Sequence, residues 1–235
     1  MAAEGLEKIL FRIDIGKFHK VLFWAFGLMY VSYGMSLTLS TVMPEVLEEY
    51  WGLSSSEIGV AGGIFNIGFS LGTLAAAWED HFGRKIFLRA GIVSIFIGTA
   101  GAAGMPEFWS YTTFNFLIGL GVGLFEIAEI SLLTEVNAIP YRAKFFVFLN
   151  IPYLVGSCAI LGVAFALIPG LNPGHWRWLV AIPAVFAIPP LILSFTFIPE
   201  SPRFLIAKER FDEAEAVFEK ISVYSNKGSL SEEER

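Results

Sequence analysis

The sequence is short of the groups on which soluble chemistry relies. It has one cysteine, Cys158, lying inside an apolar run. No intrachain disulfide can form, and a cysteine-based metal site has nothing to build on. Only 16% of the 235 residues are charged, against roughly 25% in soluble domains. The net charge of −6 leaves no basic footprint for nucleic acid. No nucleophile–base pair, metal-ligand cluster or phosphate-cradling glycine loop followed by Lys-Ser/Thr can be found, so neither an enzyme nor a cofactor is expected. The first twenty residues are polar, with no short apolar core and no cleavage site, so a removable leader is not expected.

What is plentiful is apolar surface. Hydrophobic residues make up 55% of the chain, and the mean hydropathy is +0.63. A soluble globule of this size has too little interior for so much hydrocarbon. A bilayer core of about 30 Å asks for about 20 apolar residues per helix, and six segments meet that length: Val21–Met43, Glu57–Trp78, Phe87–Met105, Ser110–Thr134, Phe145–Pro169 and Trp178–Ile198. The strict alternation of a barrel strand is absent, so the fold class is an all-α membrane protein, a six-transmembrane-helix bundle.

Orientation follows from Lys and Arg. With the N-terminus inside, the inner segments hold Lys8, Arg12, Lys17, Lys20, then Arg84, Lys85, Arg89, then Arg142, Lys144, then Arg203, Lys208, Arg210, Lys220, Lys227, Arg235. The outer segments hold only Arg177. Fifteen against one selects both ends inside. The first outer loop reads as acidic, with Glu45, Glu48 and Glu49. Trp109, Trp176 and Trp178 fall at outer edges, and His19, His81 and His175 at span edges, where interfacial placement is expected. The chain then divides into a cytoplasmic segment (1–20), the bundle (21–198) and a cytoplasmic amphipathic helix with a polar tail (199–235). In that last part Ser201 suits an N-cap and Pro202 the first helical position, and Phe204, Phe211, Ala214, Phe218 and Ile221 recur on one face. Small residues crowd the second, third and fourth spans, favouring close helix contact. No internal repeat is visible.

Polar groups inside spans are the candidates for function, because lipid makes them expensive. Apart from span edges there is no Lys or Arg to consider. Glu126 and Glu129 lie in the fourth span, and at 100° per residue Asn115 falls about 20° from Glu126 and about 40° from Glu129 on the other side. The three make one stripe and are candidates for binding substrate or a proton. A competing reading lets Glu129, near the inner end, simply reach water. Weaker candidates are Asn66 with Ser70 and Thr73 in the second span, Asn150 and Tyr153 with Ser157 in the fifth, and Tyr30 and Tyr33 with Leu37 and Thr41 in the first. Helix packing accounts for each of these equally well.

Three stretches carry a resemblance. The loop Ala76-Ala77-Trp78-Glu79-Asp80-His81-Phe82-Gly83-Arg84-Lys85 resembles the signature GxLxDxxGRK of the major facilitator superfamily. Pro199-Glu200-Ser201-Pro202-Arg203-Phe204-Leu205 is similar to the PESPRWL motif that follows the sixth helix of sugar porters, with Phe204 in place of Trp. Gly119-Leu120-Gly121-Val122-Gly123, followed by Glu135 and Arg142, resembles the fourth helix of the same branch, with Asn115 near the place of the usual arginine. Trp176-Arg177-Trp178 also fits. The resemblance, closest to the branch of sugar porters, synaptic-vesicle-glycoprotein-like proteins and organic-acid carriers, implies half of a twelve-helix fold. It implies a multi-pass protein of the inner (plasma) membrane whose partners are a small solute, the lipid bilayer and a second six-helix half, from another chain or a second copy. It also implies a cytoplasmic gating motif of Asp80, Gly83, Arg84, Lys85, Glu135, Arg142, Glu200 and Arg203, which in the family latches the inner helix ends in the outward-facing state. The expected function is a secondary transporter, or its N-terminal half, working by alternating access with proton coupling. The alternative is a receptor or scaffold that keeps the fold without transporting. The first span, Tyr30-Val31-Ser32-Tyr33-Gly34-Met35-Ser36, has no carboxylate, so no relative's substrate carries over.

Overall fold

A computed structural model describes residues 10–11, 15–167 and 175–225. Lys8, Arg12, Lys227, Arg235, Asn172 and the polar tail after Ser225 lie outside the described residues. Among the described residues, nine helices of four or more residues follow one another: α1 Lys17–Trp51, α2 Ser55–Ala76, α3 Glu79–Phe82, α4 Arg84–Gly104, α5 Phe108–Val136, α6 Ile139–Leu167, α7 Trp176–Thr196, α8 Pro202–Ala207 and α9 Phe211–Tyr224. Six of them (α1, α2, α4, α5, α6 and α7) are long and apolar enough to cross a membrane. The shortest of these, at 21 residues, is about 31 Å long at 1.5 Å per residue.

The spans pack in an interchangeable pattern. α5 lies against α2 and α4, α1 lies against α6 and α7, and α4 against α7 joins the two groups. Exchanging spans one to three with spans four to six maps this pattern onto itself. An offset of three spans reverses direction, so the arrangement is that of an inverted repeat, which the side chains alone did not reveal. Both equivalent contacts use glycine for close approach. A Cβ on Gly72 would overlap the Leu120 carbonyl and one on Gly123 the Phe69 carbonyl; across α1 and α6, Gly34 and Gly156 are in the same position against Tyr153 and Val31.

Several boundaries differ from the sequence reading. α1 does not stop near Met43. It continues through Pro44 to Trp51 and ends at Gly52, whose φ is +63. Glu45, Glu48 and Glu49 therefore belong to a helix rather than a loop. Ser54 then starts α2 with a capping box: its backbone N–H donates to Glu57 at 2.8 Å. The segment after the sixth span is two helices, broken at Glu209 (φ +58). Ser201 caps α8 as expected, accepting from the Phe204 N–H at 3.1 Å. Ala214, Phe218 and Ile221 are buried, with Phe218 and Ile221 packed among Leu10, Phe18, Val136 and Ile198, so α9 docks on the bundle. Phe211 points away from this face and is 60% exposed.

The two ends of the bundle are built differently. At one end Trp176, which the sequence reading placed at an interface, is fully buried. Its ring lies 5.3 Å from Trp51, 5.8 Å from Tyr50 and 5.9 Å from Tyr111. Trp109 and Trp178 are exposed, as expected of belt residues. At the other end stand Asp80, Arg84, Glu135 and Glu200.

Candidate functional site

The charged end is assembled from three segments distant in sequence. Gly83, at φ +102, reverses the chain after α3, and any side chain there would meet the Glu200 carboxylate. Arg84 thereby becomes the first residue of α4. Its guanidinium donates to Asp80 at 2.5 Å and to Glu135 at 3.1 Å. The Asp80 side chain is 73% exposed, whereas those of Arg84 and Glu135 are each 9% exposed. Water and salt therefore weaken the first pair far more than the second. The second Glu135 oxygen accepts from the Ser201 hydroxyl, so the residue that caps α8 is tied to the end of α5. Glu200 accepts from the backbone N–H groups of Lys85, at 3.2 Å, and Ser201, at 2.9 Å. It thus sits at the N-terminus of α4, where the helix dipole favours an anion. The Phe204 ring lies 5.4 Å from the Arg84 guanidinium.

Of the expected gating residues, Asp80, Gly83, Arg84, Lys85, Glu135 and Glu200 come together here. Lys85 contributes its backbone rather than its ammonium. Arg142 donates from Nε to the Asn137 carbonyl at 3.0 Å, bracing the turn between α5 and α6. Arg203 is exposed on α8. Glu79 joins the cluster without having been anticipated: it is buried and accepts from Ser131 of α5. Burial raises its pKa above the ordinary 4.5, with the Ser131 bond opposing that shift. His19 is buried too, with Nε2 3.2 Å from the Val136 carbonyl, in contrast to the interfacial placement expected of it. Arg89 of α4 donates to the Ser194 and Phe195 carbonyls ending α7, at 2.9 and 3.3 Å. In return Arg177 of α7 donates to the Ala103 and Met105 carbonyls ending α4, at 3.1 and 3.0 Å. Each arginine places a cation at a helix C-terminus, where the dipole favours it. The sequence reading assigned neither of them a capping role.

The middle of the bundle holds the carboxylates. Glu129 is fully buried, and Tyr30 of α1 donates to its Oε2 at 3.0 Å. Its Oε1 has no hydrogen-bond partner among the described residues. Glu129 does not reach water, because α1 closes over it. Glu126, one turn earlier, is only partly buried, and its charge acts on both Tyr30 and Tyr33. Tyr33 packs edgewise on Tyr30 at 6.1 Å and lies 5.3 Å from Tyr153 of α6. Five of the eight substrate or proton candidates are thus gathered: Tyr30, Tyr33, Glu126, Glu129 and Tyr153. Asn115 shares their helical stripe but stands three turns away. It donates to the Ala61 carbonyl of α2 at 3.4 Å and borders a separate pocket with Ser36, Ser40, Thr99 and Tyr111. Asn66 and Asn150 are exposed, and each amide turns back on its own helix, to Gly62 at 3.0 Å and Phe146 at 2.8 Å. The arrangement gathers titratable groups at mid-bundle and ties helix ends together at the charged end.

Fold and site together define a bundle of six candidate membrane spans with a buried ion pair at one end. The chain belongs to the Sugar (and other) transporter family, which matches residues 21–234. It is 27% identical over 215 residues to the niacin transporter NiaP of Acinetobacter baylyi, covering 89% of this chain and 47% of that protein. It is 31% identical over 166 residues to solute carrier family 22 member 1 of Bos taurus, covering 69% of this chain and 28% of that protein. In fold it resembles the partially occluded inward-open xylose transporter XylE of E. coli, with TM-score 0.72 and 22% identity over 90% of this chain and 57% of that one. The proton:xylose symporter XylE bound to 6-bromo-6-deoxy-D-glucose gives TM-score 0.70 and 22% identity over 93% of this chain and 51% of that one. The chain spans about half the length of, or less than half of, the curated relatives it matches.

Proposed function

We propose that this six-span bundle is one half of a proton-coupled secondary transporter that moves a small solute by alternating access. The second half comes from the remainder of a longer protein, from another chain, or from a second copy of this one. The charged end faces the cytoplasm, and both chain ends lie on that side of the plasma membrane. The observation that carries the reading is the buried Arg84–Glu135 pair at 3.1 Å. It ties the turn after the second span to the end of the fourth, and through Ser201 to the segment after the sixth. A partly dry charged junction of this kind has two discrete states, made or broken, as a gate requires. Glu126 and Glu129 supply titratable groups between the spans, which proton coupling needs.

Two experiments test this. In a Cys158→Ala background, single cysteines at Glu48 and Ala143 should label oppositely with an impermeant maleimide: position 48 from outside intact cells, position 143 only after lysis. Labelling of position 143 in intact cells overturns the orientation. Proteoliposomes holding this chain together with a second half should accumulate solute when a proton gradient is imposed, and the chain as a verified monomer should not. Uptake by the monomer overturns the two-half mechanism.

A further inference from the structure

Three cations meet where α4, α7 and α9 come together at the charged end. Lys85 and Arg89 are one turn apart on one face of α4. Arg89 is held by the Ser194 and Phe195 carbonyls that end α7, and its guanidinium lies 4.5 Å from the Phe195 ring. Lys220 of α9 donates to the Phe197 carbonyl at 2.7 Å, with its ammonium 5.1 Å from the Phe197 ring. The charges of Arg89 and Lys220 both act on Lys85, so the three groups form one cluster.

None of the three has a carboxylate partner among the described residues. The Lys85 ammonium is half-buried and has no hydrogen-bond partner among them either. Glu200, whose charge also reaches Lys85, turns its Oε1 to the backbone N–H groups of Lys85 and Ser201 instead. Like charges gathered at a partly dry edge repel more strongly than they do in water. Carbonyls and rings fix two of these cations in place, yet the cluster keeps an excess of positive charge that an anion would relieve. The ground beside it is apolar. Ile192 and Phe195, one turn apart on α7, and Ile86, one turn before Arg89 on α4, are all exposed. Both helices are long and apolar enough to cross a membrane. A cationic rim above exposed hydrocarbon complements a phospholipid at both of its ends, whereas a free phosphate would use only the rim.

We propose that Lys85, Arg89 and Lys220 form a binding site for the phosphate of an anionic phospholipid, whose acyl chains lie along Ile192 and Phe195 of α7 and Ile86 of α4. The bound headgroup joins α4 to α9 across the end of α7. The site lies on the outside of the bundle and does not depend on which solute the bundle moves.

The test uses the full chain in detergent, with native mass spectrometry counting the lipid that stays bound. Phosphatidylglycerol should be retained in preference to phosphatidylcholine with the same acyl chains, and the preference should shrink as salt rises. Lys85→Gln and Lys220→Gln should each weaken that retention about fivefold, the worth of one cation near an anionic lipid. Lys85→Arg should keep it. Lys144→Gln, which removes an exposed cation of α6, should leave it unchanged, and so should an excess of inorganic phosphate. Lys85→Gln is the variant of choice because its ammonium holds nothing within the described residues; the melting midpoint without added lipid verifies that each variant is folded. Equal retention of the two lipids, retention untouched in the Lys85→Gln, Lys220→Gln double variant, or an equal loss in Lys144→Gln would each overturn the proposal. Displacement of the lipid by inorganic phosphate would overturn it too, by assigning the cations to a free anion.

Discussion

The two ends of this bundle hold the same helices together by opposite means. At one end Trp51, Tyr50 and Tyr111 surround the buried Trp176, and Phe108 packs on Trp51. There Arg177 caps the end of α4. At the other end one buried arginine and its carboxylates join three segments. Aromatic packing is insensitive to salt and pH and loosens only if bulk is removed. A charged junction can be broken by a proton, by a competing ion or by a small shift of one helix. One end is therefore held by packing and the other by charge.

The comparison predicts its own largest effect. Trp176→Ala empties the aromatic cluster, and truncating a buried Trp costs about 4 kcal/mol. Thermal unfolding in detergent should show this loss equally in low and high salt. A loss below about 1 kcal/mol would mean that the cluster relaxes freely and does not clamp. Arg84→Met comes next. It leaves Glu135 buried without its cation, at about 3 kcal/mol, and the deficit should shrink when Glu135→Gln is added. If the double variant is no more stable than Arg84→Met, the pair is uncoupled and does not hold the charged end.

Much of this architecture was legible in advance. Six apolar runs gave six spans, since length and hydropathy are local properties. The Ser201-Pro202 cap and the Asp80–Arg84 turn were readable because each is set by a few adjacent residues. What escaped depended on distant partners. Trp176 reads as a belt residue until Trp51, Tyr50 and Tyr111 are brought to it. Glu129 reads as solvent-reaching until Tyr30, 99 residues earlier, closes over it. The continuation of α1 through Pro44 was hidden because a helix leaving an apolar layer loses its hydropathy signal while keeping its backbone bonds. The break at Glu209 has a positive φ on a residue with no special tendency toward it. The five gathered candidates share no spacing rule, since they sit on three helices.

A third, smaller effect separates the ends by pH. Glu79 is buried against Ser131, and its pKa is raised by burial. Between the ordinary 4.5 and that raised value the folded chain binds more protons than the unfolded chain. Stability therefore falls as pH rises through this window. Glu79→Gln keeps an acceptor for the Ser131 hydroxyl and removes the titration. It should raise the melting midpoint near neutral pH, and the gain should vanish below about pH 4, where Glu79 is protonated in both states. Trp176→Ala should show no such pH dependence. A constant gain at all pH values would assign the Glu79 effect to packing instead.

The smallest effect sharpens what burial does to an ion pair. Arg210 and Glu213 on α9 form the geometrically better bridge, with Nε and Nη2 each 2.6 Å from a carboxylate oxygen. Arg84 reaches Glu135 through one nitrogen at 3.1 Å. If geometry set the strength, the α9 pair would matter more. Its side chains are 48% and 56% exposed, however, and water and salt screen exposed pairs until little remains. The Arg210 hydrogen bond holds the Glu213 pKa below its ordinary value, so what stability the pair adds is present above that value and lost as pH falls through the lowered one. Glu213→Gln should leave the melting midpoint within error of the parent in high salt and lower it barely in low salt. The Arg84→Met deficit should survive in both, since its partner is shielded from solvent. If Glu213→Gln costs as much as Arg84→Met, bidentate geometry outranks burial here, and the charged end owes its strength to something other than being dry.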